Sequence, residues 1–180
     1  MLPTCFNRVM FFPSCSKRLT FFGLPLALLV VSIASPAQPR RNYFDDPFVQ
    51  ATAAITACPE PESPLITLDE MRAQAHGRVD RGTTCYRSGR CRLPNSYLYD
   101  KEIVPRVRQF IAQDDRFANT SVWVLGQRRW IYLMGCVADP AQRDSLERAV
   151  QGIDDVEAVI DELMVGTDGK PPYRTATPPR

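Results

Sequence analysis

The 180-residue chain has only one histidine, His76, and this scarcity limits the catalytic arrangements open to it. A Ser/His/Asp triad or a Cys/His pair would have to be built on that imidazole, and no nucleophile motif lies near it. The sequence also lacks the G-x-G-x-x-G, P-loop and H-E-x-x-H patterns of nucleotide-binding and zinc-dependent enzymes. We therefore expect a protein that is not an enzyme and needs no cofactor.

Long hydrophobic runs are absent except near the amino terminus. There, Lys17 and Arg18 precede LTFFGLPLALLVVSIAS, which is short and proline-broken for a membrane span and ends in small residues. A basic region, an apolar core and a small-residue site form the layout of a secretory signal peptide. We expect residues 1–37 to be such a peptide, cut after Ala34 or Ala37. An uncleaved anchor is the alternative.

An overall excess of positive charge is missing once this leader is set aside. The whole chain has 22 basic and 20 acidic residues, and three of the basic ones lie in residues 1–37, which leaves 19 against 20. This balance predicts no nucleic-acid partner. Arginines are nevertheless concentrated locally, and we name five as candidates for an anionic partner, with a merely solvated face as the plainer interpretation. They are Arg87, Arg90, Arg92, Arg128 and Arg129.

C-x-x-C pairs, which structural zinc sites favour, are absent as well, so no metal site is expected. An even number of cysteines in an exported chain predicts disulfides instead. The four cysteines that follow the leader are Cys58, Cys85, Cys91 and Cys136. They permit three pairings. Cys85 and Cys91 are far enough apart to close a small ring, but they could equally reach Cys58 and Cys136 separately.

Irregular segments flank the part of the chain with a regular pattern. Residues 38–66 are proline-rich and predict an extended linker with one short helical turn near 48–55. Residues 67–99 predict a short helix, started by a Thr67-x-x-Glu70 capping box and stopped near Gly77, and then a cysteine- and arginine-rich loop that covers the following domain. Residues 167–180, with KPPY and TPPR, are expected to be disordered.

Residues 100–166 carry a regular pattern of five elements. Asp100 is the expected cap of a first helix, in which Pro105 fits only near the first turn, and Asp139-Pro140 starts a second helix. The strands are NTSVWVLG and RWIYLMGCV, joined by the turn GQRR, and VEAVIDELMVG. The order α-β-β-α-β predicts an α+β two-layer sandwich, a three-stranded mixed sheet with two helices on one face.

Alternation along these strands separates two sheet faces. If Ile131 and Leu133 face the helices, so does Gly135, whose expected role is close approach of helix and strand. The opposite face then carries Trp123, Trp130, Tyr132, Met134, Cys136, Ile160 and Met164. Such an apolar face needs a cover. The candidates are the chain's own residues 58–99, tied down by a disulfide to Cys136, and a partner protein or membrane.

The element order and strand patterns resemble the BON domain of bacterial envelope proteins. That family has an apolar-x-Leu-x-Gly-x-Val strand, a helix and a Gly-Val-x-x-Val-x-Asn-x-Leu-x-Val segment. The first pattern is matched by Ile131, Leu133, Gly135 and Val137. The second is matched by Gly152, Ile153, Val156, Val159, Leu163 and Val165, with Asp161 where asparagine is common.

BON domains are associated with attachment to phospholipid or other parts of the cell envelope. The resemblance therefore implies a periplasmic or envelope protein that docks to phospholipid or peptidoglycan through the arginines named above. The alternative is a structural or adaptor subunit of an envelope or secretion assembly that uses the aromatic sheet face for protein contact. Raised salt should weaken the first kind of binding and not the second.

Overall fold

The computed structural model describes residues 38–80 and 83–176, so the expected signal peptide lies outside the described residues. The elements in chain order are β1 (Phe48–Ala53), α1 (Leu68–Asp80), α2 (Thr83–Arg87), α3 (Tyr97–Gln113), a 3-10 turn (Asp115–Phe117), β2 (Ser121–Gln127), β3 (Trp130–Val137), α4 (Pro140–Gln151) and β4 (Ala158–Val165).

The strands form one mixed sheet in the order β1-β2-β3-β4. The β1–β2 and β2–β3 pairs are antiparallel, and β3–β4 is parallel. The predicted α+β class and mixed sheet are confirmed, but the sheet has four strands rather than three. The extra strand, β1, occupies the place of the predicted helical turn. Its six residues, FVQATA, become a strand because they pair with β2, a distant partner that local sequence does not reveal.

The main core lies between the sheet and the two long helices. Helix α3 packs on β1 and β2, whereas α4 packs on β3 and β4. Fully buried members of this core are Ile103, Val104, Val107, Ile111, Phe117, Val122, Val124, Ile131, Leu133, Val137, Leu146 and Val150. Burial of a large apolar side chain contributes about 1.5–3 kcal/mol, so this layer supplies most of the driving force for folding.

Two glycines let neighbouring backbones approach closely. A Cβ on Gly126 would lie 2.4 Å from Val104 Cγ2, so Gly126 is the point where α3 meets the sheet. The role predicted for Gly135 was wrong in this respect. Gly135 has φ of 121°, and a Cβ there would lie 2.0 Å from the carbonyl oxygen of Ser121 on β2, so it permits strand-to-strand rather than helix-to-strand approach.

The helix starts predicted at Thr67 and Asp139 are confirmed. The Thr67 capping box is present, with Thr67 N donating to Glu70 Oε2 (2.7 Å) and Glu70 N donating to Thr67 Oγ1 (3.2 Å). In α4, Gln142 N donates to Asp139 Oδ1 (2.8 Å) as expected. Helix α1, however, continues through Gly77 to Asp80. One glycine costs only about 1 kcal/mol inside a helix, which contacts further along can offset.

Helix α3 begins at Tyr97, before the predicted start, with Ser96 as its N-cap. Pro105 therefore lies inside the helix instead of at its first turn. Its ring is exposed, while Ile103, Val104 and Val107 are fully buried. The packing of that buried face keeps the helix intact although the proline cannot donate a backbone hydrogen bond.

The strap, defined as residues 58–66, and the tail, residues 172–176, pair over the sheet face that looks away from the helices, here called the outer face. Glu62 N donates to Arg174 O (2.8 Å), and Ala176 N donates to Glu60 O (2.9 Å). Tyr173 is buried, its hydroxyl donates to Pro59 O (2.8 Å), and burial raises its pKa to about 12. Disorder was expected for the whole segment after residue 166, and residues 167–176 differ because Tyr173 packs against the sheet.

Candidate functional site

The outer face is partly covered by the chain itself. A disulfide joins Cys58 of the strap to Cys136 of β3, which selects one of the pairings left open by the sequence. The second buried cluster consists of both cysteines with Trp123, Met134, Met164 and Tyr173. Coverage of the outer face by the chain itself was one of the two predicted possibilities. In the structure, the strap and, unexpectedly, the tail provide this cover.

Some side chains of the predicted partner face are therefore buried, and others remain partly accessible. Trp123, Met134 and Met164 are no more than 8% exposed and lie beneath the cover. Trp130, Tyr132 and Ile160 remain half-buried. The surface left for a partner is thus smaller than the sequence pattern indicated.

Two of the candidate arginines form the two-residue turn between β2 and β3. Arg128 and Arg129 have φ of 58° and 70°, the left-handed geometry of a type I′ turn, which ordinarily favours asparagine and glycine. Asp100 holds this turn: its Oδ2 accepts from Arg128 N (2.5 Å) and its Oδ1 from Arg129 N (2.7 Å). Burial outweighs these bonds and raises the pKa of Asp100.

Asp100 was expected to cap α3 and instead caps the hairpin turn from within the first turn of that helix. Replacing it with alanine should leave two backbone N–H groups without their carboxylate in a site where Asp100 is 1% exposed. We expect D100A to lose about 2–4 kcal/mol of unfolding free energy, measured by urea denaturation followed by circular dichroism. An exposed carboxylate, Asp144, provides the control D144A, which should change stability by less than about 0.5 kcal/mol. Equal stability of the two variants would contradict this role.

The side chains of the same two arginines are engaged internally. Arg128 is 9% exposed, and its Nη1 donates to Gly77 O (3.0 Å). Arg129 Nε donates to Asp155 O (2.8 Å), and its Nη1 lies 3.3 Å from Cys91 Sγ. These contacts give both side chains a structural role in the fold, and docking through them stays a prediction.

The remaining three arginines lie in or beside a second disulfide, Cys85–Cys91, which closes a short ring at α2. Arg92 is ion-paired with Glu102 (2.6 Å). Arg87 and Arg90 are exposed, and within the described part of the chain neither forms an ion pair. Tyr86 beside them is 46% exposed. We call residues 85–91 the basic ring; the Arg129–Cys91 contact ties it to the hairpin turn.

The arrangement contains few groups suited to covalent chemistry. All four cysteines among the described residues are in disulfides. Within these residues, no group of three or more His, Cys, Asp and Glu side chains is placed to hold a metal ion. No helix in the described ranges is long and apolar enough to cross a bilayer.

The part of the chain that contains most of the main core is similar to a known domain family. The BON domain family model matches residues 99–167, from the start of α3 to just beyond β4, while β1, the strap, α1 and the basic ring lie outside the match. No curated protein and no solved structure matches the chain. At family level this domain indicates phospholipid binding at the cell envelope, and the two disulfides are consistent with an oxidising compartment. Residues 99–167 of this chain form a BON domain.

Proposed function

We propose that this protein is a non-catalytic, exported envelope protein that attaches to anionic phospholipid through its basic ring. The observation that carries the proposal is the pair of exposed arginines, Arg87 and Arg90, beside an exposed tyrosine on a loop closed by a disulfide. The BON domain supports lipid contact at family level, and the ring supplies a surface for it.

The chemistry of the ring suits a lipid headgroup layer. Arginine forms bidentate hydrogen bonds with phosphate, and tyrosine places an apolar ring and a hydroxyl at the boundary between headgroups and water. Closure by Cys85–Cys91 limits the freedom that the loop would otherwise lose on binding. Each basic side chain near an anionic surface contributes about 1 kcal/mol, so we expect weak, reversible and salt-sensitive attachment.

The test is co-sedimentation of the exported protein, without the apolar leader of residues 1–37, with vesicles of phosphatidylglycerol and phosphatidylethanolamine, against vesicles of phosphatidylcholine alone. We expect binding only to the anionic vesicles. The double variant R87Q/R90Q should weaken it by about tenfold or more, because two contacts of about 1 kcal/mol each are lost. R148Q/K170Q is the matched control, since both residues are exposed and the same charge is removed elsewhere.

The salt dependence of vesicle attachment distinguishes this proposal from the alternative. Attachment through arginines should decline steeply between low and physiological ionic strength. Attachment that survived high salt and R87Q/R90Q would contradict it. Such a result would favour a structural or adaptor subunit that uses the half-buried Tyr132 and Ile160 for protein contact.

A further inference from the structure

A groove of about 370 Å³ opens between the outer face of the sheet, the strap and the tail. Its sheet side contains Met134 and Glu162, and its other walls include Pro64, Leu65 and Ile66 from the strap and Tyr173 from the tail. The lining is thus mixed: these apolar side chains lie beside Glu162 on the sheet, and charged side chains of the surrounding segments, among them Arg40 and Arg174, complete the walls. The volume lies near the lower end of the range for ligand pockets, which runs from about 300 to 1,000 Å³.

The two arginines that line this groove lie nearer to other acids than to Glu162. Arg40 is ion-paired with Glu62, and Arg174 Nη1 lies 4.0 Å from Glu70 Oε1. Glu70 also accepts the two hydrogen bonds from Thr67 at the start of α1. Among the described residues, neither arginine forms an ion pair with Glu162.

Glu162 differs from these acidic residues because it is unpaired in the described part of the chain. Over the residues that the structure describes, its carboxylate has no hydrogen-bond or ion-pair partner. Burial, and after it the charge of Asp161, raises the pKa of this carboxyl group, and no arginine compensates. Arg143 of α4 does not compensate either, because it pairs with Asp161 on the opposite side of the sheet. A half-buried carboxylate without a counter-ion destabilises the folded state, and a cation bound beside it would remove that destabilisation.

We propose that this groove binds a lysine or arginine side chain of a partner protein. The cation pairs with Glu162, while its aliphatic stem lies against Leu65, Ile66 and Met134. Long basic side chains combine these two properties, an apolar stem and a charged end. A free diamine has the charge but lacks the peptide groups of a partner protein. This inference is independent of lipid attachment by the basic ring.

The experiment is a titration of the isotope-labelled full chain, followed by ¹H–¹⁵N and methyl NMR. The probes are the capped amino acids N-acetyl-lysine methylamide and N-acetyl-arginine methylamide. N-acetyl-norleucine methylamide supplies the stem without the charge, and putrescine supplies the charge without the peptide. The variant is E162Q. Its matched control is E157Q, because Glu157 is exposed, precedes the same strand and does not line the groove.

We expect at least one capped basic residue to shift signals of Met134, Ile66 and Tyr173 saturably. E162Q should weaken this binding by about tenfold while E157Q leaves it unchanged, because only the former removes the paired charge. E162Q should be no less stable than the wild type, which shows that its loss of binding is not unfolding. The inference is overturned if norleucine binds equally well, if E162Q retains binding, or if putrescine binds more tightly than both capped residues.

Discussion

Replacing Gly135 with alanine should lower the unfolding free energy of the BON domain by about 2–6 kcal/mol, although it adds only one methyl group. Gly135 has φ of 121°, a region that side-chain-bearing residues rarely adopt. The new Cβ would also lie 2.0 Å from the carbonyl oxygen and 3.0 Å from the carbonyl carbon of Ser121. Backbone strain of about 1–3 kcal/mol and overpacking of about 1–3 kcal/mol together consume much of a typical folding free energy. Urea denaturation followed by circular dichroism measures the loss.

Gly126 provides the contrast, because the atom that a Cβ would meet there belongs to a side chain. G126A places its methyl group 2.4 Å from Val104 Cγ2. Shortening the valine should make room, so the double variant G126A/V104A should be more stable than G126A alone. At Gly135 the two nearest atoms belong to the backbone of Ser121, and the Trp123 side chain follows at 3.1 Å, so shortening a side chain cannot make room there. A G135A protein with wild-type stability would show that the β2–β3 register at this position is not as described.

The features that could be predicted from the sequence are those encoded by neighbouring residues. The capping boxes at Thr67 and Asp139 each need only four residues, and the β2–β3 hairpin needs two alternating runs and a short connection. Alternation alone is enough to assign the sheet faces, and it correctly places Trp123, Met134 and Cys136 together on the outer face.

What could not be predicted depends on partners distant in the chain. Nothing in FVQATA reveals that it will pair with a strand about seventy residues later, and nothing in a proline-rich tail marks Tyr173 as a buried residue. Asp100 is the clearest case. Its position suggested a helix cap, and only the fold shows that it lies beside the Arg128–Arg129 turn. A two-residue loop without glycine or asparagine was the available signal that another residue must hold the turn.

Removal of the Cys58–Cys136 disulfide should be the most costly change outside the main core. The two cysteines are 78 residues apart, and loop-closure entropy for that separation corresponds to about 4.5 kcal/mol. Cys136 is fully buried, so alanine is a better replacement than serine, which would introduce a buried hydroxyl group. We expect C58A/C136A to unfold at a much lower urea concentration. It should also bind a hydrophobic dye, because the strap and tail no longer hold their cover over Trp123 and Met164.

The Cys85–Cys91 disulfide offers an internal control of the same chemistry. It spans six residues, for which the same relation gives only about 2 kcal/mol, and both cysteines lie at the edge of the fold rather than beneath the strap. C85A/C91A should therefore retain the outer-face cover and the fold, and it should lose vesicle binding as the basic ring loosens. Equal loss of stability in the two double variants would mean that the Cys58–Cys136 bond does not hold the cover. Dye binding by C85A/C91A would point to the same conclusion. If instead only C58A/C136A exposes the outer face, the strap and tail are what keep this sheet from presenting its aromatic side chains to solvent.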